Sequence, residues 1–163
     1  MNTRRTLFAA AIGLSILAWQ AVAQEPNITQ PQPMLPTEKL TVITHDGQRH
    51  DFTVEMALTP PQQVTGLMFR PTVPEATGML FDWQQARESD MWMRNTLAPL
   101  DMLFINADGS IRHIAEHTVP QSLAVISSGG AVRATLEIAA GTAEKLDIRV
   151  GDHVENRIFG NAP

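Results

Sequence analysis

Apolar residues recur at every second position over much of the chain, the spacing of strands with one buried face. Phe52, Val54 and Met56 alternate with Asp51, Thr53 and Glu55, and Val132, Ala134, Leu136 and Ile138 alternate with Arg133, Thr135 and Glu137. Segments 39–45 and 48–56 flank Asp46-Gly47, a dipeptide that supplies the positive φ of a tight hairpin. Asp108-Gly109 predicts a second hairpin between strands at 101–106 and 110–117. Segments 78–81, 90–94 and 153–158 complete the predicted strands, and Ser127-Ser128-Gly129-Gly130 reads as a flexible turn. Helix is predicted in only two places. After Thr59, Pro60 at the first helical position and Gln62 at the third favour a short helix with Val64, Leu67 and Met68 on one face. Gly66 within it signals close approach of another backbone. A turn or two of helix follows Gly141, with Glu144 near its positive end and Leu146 facing inward. The class is mainly β: a small closed or nearly closed β-barrel or sandwich with one or two short helices.

The ends change this picture. The chain opens MNTRRTLFAAAIGLSILAWQAVAQ, a basic start, an apolar run too short to span a bilayer comfortably, and an A-x-A exit before Gln24. Residues 1–23 are therefore expected to be a secretory signal peptide, with Thr3-Arg4-Arg5 leaving Sec and twin-arginine export both open. Residues 24–37 are rich in proline and glutamine and are expected to be a disordered tether, followed by a single domain over 38–160. The expected location is periplasmic or secreted. The full chain carries 12 basic and 17 acidic side chains, a net charge of −5, and loss of Arg4 and Arg5 would make it more acidic. Such a surface repels phosphate backbones and anionic headgroups, so neither nucleic acid nor, after signal removal, membrane is an expected partner. The absence of cysteine excludes disulfides, thiolate metal sites and a cysteine nucleophile.

One run breaks the apolar pattern. In MWMRNTLAPLD, residues 91–101, both faces of a presumptive strand turn polar together before Pro99 bends the chain into the apolar segment 102–105. A strand leaving the core for the rim of a cavity has this pattern. Asn95, Thr96 and Asp101 are the candidate rim, Trp92 the apolar wall, and Arg70 or Arg94 the positive charge for an anionic group. Asp101, at the core boundary, needs a partner: Arg94, Thr96 or a backbone amide. The competing reading makes Asn95 and Asp101 turn-fixing residues only.

Other constellations are weaker. HIAEH, residues 113–117, matches a zinc-protease string, but that chemistry needs a helix and the flanks are β-like. Met91 and Met93 have strand spacing and invite a copper reading through thioethers, against which methionine is an ordinary core filler. No phosphate loop or nucleophile elbow occurs, which leaves acid–base chemistry by Asp101, Glu116 or Glu137 as the enzymatic alternative.

GLMFR, GMLF, MWMRNTLAPLDMLFINADGSI and LEIAAGTAEKLDIRVGD, in that order, resemble the domain-of-unknown-function family numbered 192 over most of 39–158. The resemblance implies a compact, barrel-like β domain and no established activity. It places Arg70, Trp92, Asn95, Thr96, Pro99, Asp101 and Gly109 on the family's motif positions. Arg94 stands where lysine is frequent, and Asp147 where glycine is common. The leading expectation is an exported monomer, without cofactor or metal, that binds a small polar ligand or a protein or peptide segment at the Asn95/Asp101 rim. An envelope enzyme using Asp101 or Glu137 as base, and a periplasmic copper-binding protein, are the alternatives.

Overall fold

The computed structural model describes residues 27–162, so the expected signal segment lies outside the described residues. Seven strands form one curled sheet, a half-barrel, in the order β5-β4-β6-β3-β2-β1-β7. They are β1 (Thr37–Ile43), β2 (Arg49–Ala57), β3 (Thr77–Met91), β4 (Leu100–Ile105), β5 (Ile111–Ala115), β6 (Ile126–Ala139) and β7 (His153–Glu155). The helices are α1 (Pro60–Thr65) and α2 (Thr142–Lys145). Neighbouring strands run antiparallel except β2 and β3, whose parallel pairing requires the crossover that carries α1. The edge strands meet at one end: Ser110 bridges His153, and the Ile111 N–H donates to the Asp152 carbonyl at 2.8 Å. The two edges of the half-barrel are thereby bridged at one end, which covers part of an exposed edge.

Both predicted hairpins form. At the first, Gly47 has φ 82°, and Asp46 Oδ1 accepts from the Thr44 hydroxyl and the Gln48 amide. Three predicted elements require correction. The strand predicted over 153–158 keeps only His153–Glu155 and gives way to a 3-10 turn over Arg157–Phe159. The segments 78–81 and 90–94 belong to, or adjoin, a single fifteen-residue strand, β3, which ends at Met91. The predicted turn at 127–130 lies inside β6, and register shifts in the β3–β6 pairing absorb its glycines. The Pro/Gln-rich stretch carries no helix or strand over 27–36, yet from Gln32 onward it is bonded to the domain. Gln32 Nε2 donates to the carbonyls of Gln62 and Gly66, and the Leu35 amide donates to Glu55 at 2.7 Å.

The sheet buries apolar side chains on both faces, a feature that decides the site. On one face Leu40, Val42, Phe52, Val54, Leu80, Leu103, Ile105, Leu136 and Ile138 pack together. On the other, Met79, Phe81, Leu100, Met102, Phe104 and Val132 pack under Leu67, Met93 and Ala98, contributed by the segments after α1 and after β3. Central strands therefore bury residues of both parities, as β4 does along its whole length.

At Gly78, where β3 pairs with β6, a Cβ would lie 2.3 Å from the Glu137 carbonyl oxygen. That contact is with backbone and cannot be relieved by a rotamer change. Gly78→Ala is expected to cost about 3 kcal/mol or more, measured as the shift in thermal unfolding. A variant melting with wild type would show that β3 and β6 do not approach this closely.

Candidate functional site

The local chemistry of α1 places one wall of a concavity. Gln62 Oε1 accepts from the backbone amides of Leu58 and Thr59 at 3.0 Å each, fixing the helix start. Gln63 Nε2 donates to the Ala57 and Asp82 carbonyls, tying the helix to β2 and β3. Gly66, predicted inside the helix, instead caps its end with φ 48°. Its neighbour is a side chain rather than a backbone: a Cβ there would sit 3.1 Å from the Phe81 ring.

Between α1, the outer half of β3 and the loop after it lies a hollow of about 440 Å³. Gln63, Val64, Gly66 and Met68 form one side, while Phe81, Trp83, Met91, Trp92 and Thr96 form the other. Phe81 and Trp83 lie with ring centroids 5.7 Å apart, and the Trp83 indole N–H donates to the buried Thr135 hydroxyl at 3.2 Å, which holds the ring in place. Arg87 stacks over Trp83 at 4.2 Å and Arg94 over Trp92 at 4.1 Å. Asp90 stands at the mouth.

Glu137 lines this hollow although its residue is only 4% exposed. It lies in the middle of β6, paired across the sheet with Met79 on β3 and Met102 on β4. Among the described residues no side chain or amide bonds to its carboxyl, and desolvation alone pushes that group up to about 8. Near neutral pH it is predominantly a protonated acid, able to donate one hydrogen bond and accept others. The alternation read from sequence put Glu137 on a solvent-facing side. That expectation fails because the opposite face is roofed by the 92–98 loop and by the residues after α1.

The six predicted site residues separate. Trp92 and Thr96 line the hollow. Arg94 covers the Trp92 ring. Asn95 does not point a free amide into the cavity: it takes φ 56°, its carbonyl accepts from the Phe69 amide at 2.8 Å, and its Nδ2 lies 3.9 Å from the Met68 sulfur. It joins the 92–96 loop to the end of the α1 segment. Arg70 grips Glu55 through its two terminal guanidinium nitrogens, at a separate concavity of about 350 Å³ beside Met34 and Pro74. Asp101 is fully buried, and its two oxygens accept from the His117 and Ala143 amides at 2.9 Å each. It projects to the other face of the sheet, since Asp101 pairs with Ile138 whereas its neighbour Met102 pairs with Glu137. A one-residue offset along a strand exchanges faces. The expected convergence of Arg70, Asn95, Thr96 and Asp101 on one concavity is therefore corrected.

The remaining candidates also separate. His113 stacks on Phe104 in β5, whereas His117 lies beyond the strand at φ 49°, 3.5 Å from Glu144. Met93 is buried, its sulfur accepting from the Thr118 hydroxyl, and Met79 and Met102 are core residues. Among the described residues no three His, Cys, Asp or Glu groups gather as a metal site. Sequence reasoning missed Phe81, Trp83, Arg87 and Asp90 as lining residues. The available signal was the aromatic alternation Phe81, Trp83 at the start of β3.

A family model described as DUF192, uncharacterized ACR, matches residues 41–156. A crystal structure from Sinorhizobium meliloti 1021, described as a candidate transcription regulator, aligns with TM-score 0.76 and 44% identity, covering 78% of this chain and 98% of that one. A protein of unknown function from Novosphingobium aromaticivorans DSM 12444 aligns with TM-score 0.73 and 37% identity, over 77% of this chain and 91% of that one. The chain has no match among curated proteins.

Proposed function

The chain belongs to the DUF192 family of uncharacterized proteins, and on that premise we propose that it is an exported domain that binds a small ligand in the hollow floored by Glu137. The observation that carries this reading is a buried carboxyl that, among the described residues, has no protein partner, at the bottom of an aromatic-walled cavity. A folded protein gains nothing by burying such a group unpaired, since desolvation without a hydrogen bond costs about 1–3 kcal/mol. A ligand that bonds to it recovers that cost. Ligand sites commonly combine a mostly apolar wall with a few polar groups of this kind. Export is supported by the basic, apolar and A-x-A pattern of residues 1–23.

A carboxyl whose pKa burial raises to about 8 also suits proton transfer, so catalysis by Glu137 is the second reading. Binding is preferred because the lining contains no histidine, serine, lysine or cysteine, among the described residues, to relay a proton or attack a substrate. The regulator description of the S. meliloti protein is not carried over: an acidic chain of net charge −5 lacks the basic footprint that phosphate contacts need.

The test is a fragment panel of amines, amides, alcohols and sugars followed by tryptophan emission and saturation-transfer NMR. Fragments that bind are expected to shift the emission of Trp83 and Trp92. They are expected to lose affinity at least tenfold in Val64→Trp, which fills the hollow from its half-exposed rim. A silent panel, or binding indifferent to both Val64→Trp and Glu137→Gln, would refute the site.

A further inference from the structure

The hollow's charge and its walls restrict what it can hold. Two acids face it, Glu137 at the floor and Asp90 at the mouth, and neither is engaged in an ion pair among the described residues. Among the described residues the lining holds one cation, Arg87, spread over the Trp83 ring. The elements packed against Glu137 present uncharged side chains: Met79 and Phe81 from β3, Leu100 and Met102 from β4, and Gln63 to Met68 from the α1 segment. The 92–96 loop contributes one charge, Arg94, which lies over Trp92. An anionic head at the floor would therefore meet a carboxyl with no compensating cation beside it among the described residues.

The walls point the same way. Phe81, Trp83 and Trp92 bring three aromatic rings to one concavity, and two of them already carry the protein's own guanidinium groups at 4.1 and 4.2 Å. Their π faces are thus used as seats for positive charge within this fold. Aromatic rings grouped about a carboxylate are an arrangement that recognises ammonium groups.

Resting on the binding reading above and narrowing it to a ligand class, we propose that the hollow receives the ammonium or quaternary ammonium head of a small organic cation, placed between the Glu137 carboxyl and the wall of Phe81, Trp83 and Trp92. The empty hollow avoids a buried charge by keeping Glu137 protonated. The cation draws the proton off and replaces it, so the occupied hollow holds a neutral pair, and the proton goes to solvent. Trp92 at the rim then borders the ligand's apolar body. Burial of the pair is tolerated because each charge enters only with its partner.

Choline and its uncharged isostere 3,3-dimethylbutan-1-ol provide the test, by calorimetric titration of the purified protein between pH 6 and 9. The expected result is binding of choline with release of up to one proton, an affinity rising toward tenfold per pH unit below about 8 and level above it, and little binding of the alcohol. Glu137→Gln should weaken choline at least tenfold at pH 8 without lowering the melting temperature below wild type at any pH from 4 to 8, which separates loss of charge from loss of fold. If the alcohol binds as well as choline, the cation class is overturned and the hollow remains a binding site for neutral ligands. If neither binds, the cation class is also overturned, and the hollow itself falls only if the fragment panel above is silent too.

Discussion

Glu137→Gln is expected to remove a loss of stability that the wild-type protein suffers as pH rises from about 4.5 to about 8. The folded state holds the proton of this carboxyl up to about 8, whereas the unfolded chain releases it near the ordinary value of 4.5. Between those values the unfolded state binds fewer protons, so unfolding becomes easier with each step in pH. The contribution is fully present below 4.5 and is lost as pH rises through 8. At about 1.4 kcal/mol per pH unit, the whole loss is bounded at about 5 kcal/mol. Glutamine has nearly the same shape and does not ionise. The variant should therefore match wild type near pH 4 and exceed it by several kcal/mol at pH 9, as read by urea unfolding at each pH. Parallel curves for the two proteins would mean that solvent or another group already stabilises the Glu137 carboxylate, and the case for an unpaired acid at the floor would go with it.

Asp101→Ala is expected to produce the second large effect, in a different observable. The carboxylate joins three elements: it sits on β4, accepts from His117 after β5, and accepts from Ala143 at the start of α2. Its removal leaves one buried amide, Ala143, and one part-buried amide, His117, without acceptors, the buried one costing about 1–3 kcal/mol, and empties a fully enclosed position. A loss of about 3–5 kcal/mol follows, enough to lower the melting temperature by roughly 10 °C or more. Asp101→Asn should fall between, since its amide retains one acceptor oxygen but turns an N–H group toward the other donor. Binding in the hollow should persist in whatever fraction remains folded, because Asp101 faces the opposite side of the sheet. A stable Asp101→Ala protein that fails to bind would reverse both assignments and restore Asp101 to the site.

These two carboxyls show where sequence reading succeeds and where it stops. The Asp46-Gly47 and Asp108-Gly109 hairpins were legible because a turn's backbone requirement is met by residues adjacent in the chain. The α1 start was legible for the same reason, with Gln62 reaching back to its own helix terminus. The polar break in MWMRNT did mark a segment beside a cavity, and Trp92 and Thr96 line it. The tie between Asn95 and Phe69 was not legible, since it joins two loops twenty-six positions apart. Nor was the face of Asp101. A run such as Leu100 to Ile105, buried throughout, gives no internal sign of which parity meets which layer.

Glu137 was visible as a candidate acid but was assigned to the wet side of its strand. Two clues bore on this, the apolar runs at 78–81 and 102–105, each indicating a strand buried on both faces. They become decisive only when β6 is known to lie between those strands, with Met79 and Met102 on either side of Glu137.

From residue order alone came the mainly β class, the two Asp-Gly hairpins, the helix starts, the family and the existence of a polar interruption, because each depends on neighbours in the chain or on short repeating patterns. Tertiary structure alone decided which carboxyl is stitched to backbone and which opens into a hollow. Strand order and the covering of each sheet face are set by contacts between distant segments, and in a sheet buried on both sides a single step along the strand moves a side chain from one environment to the other.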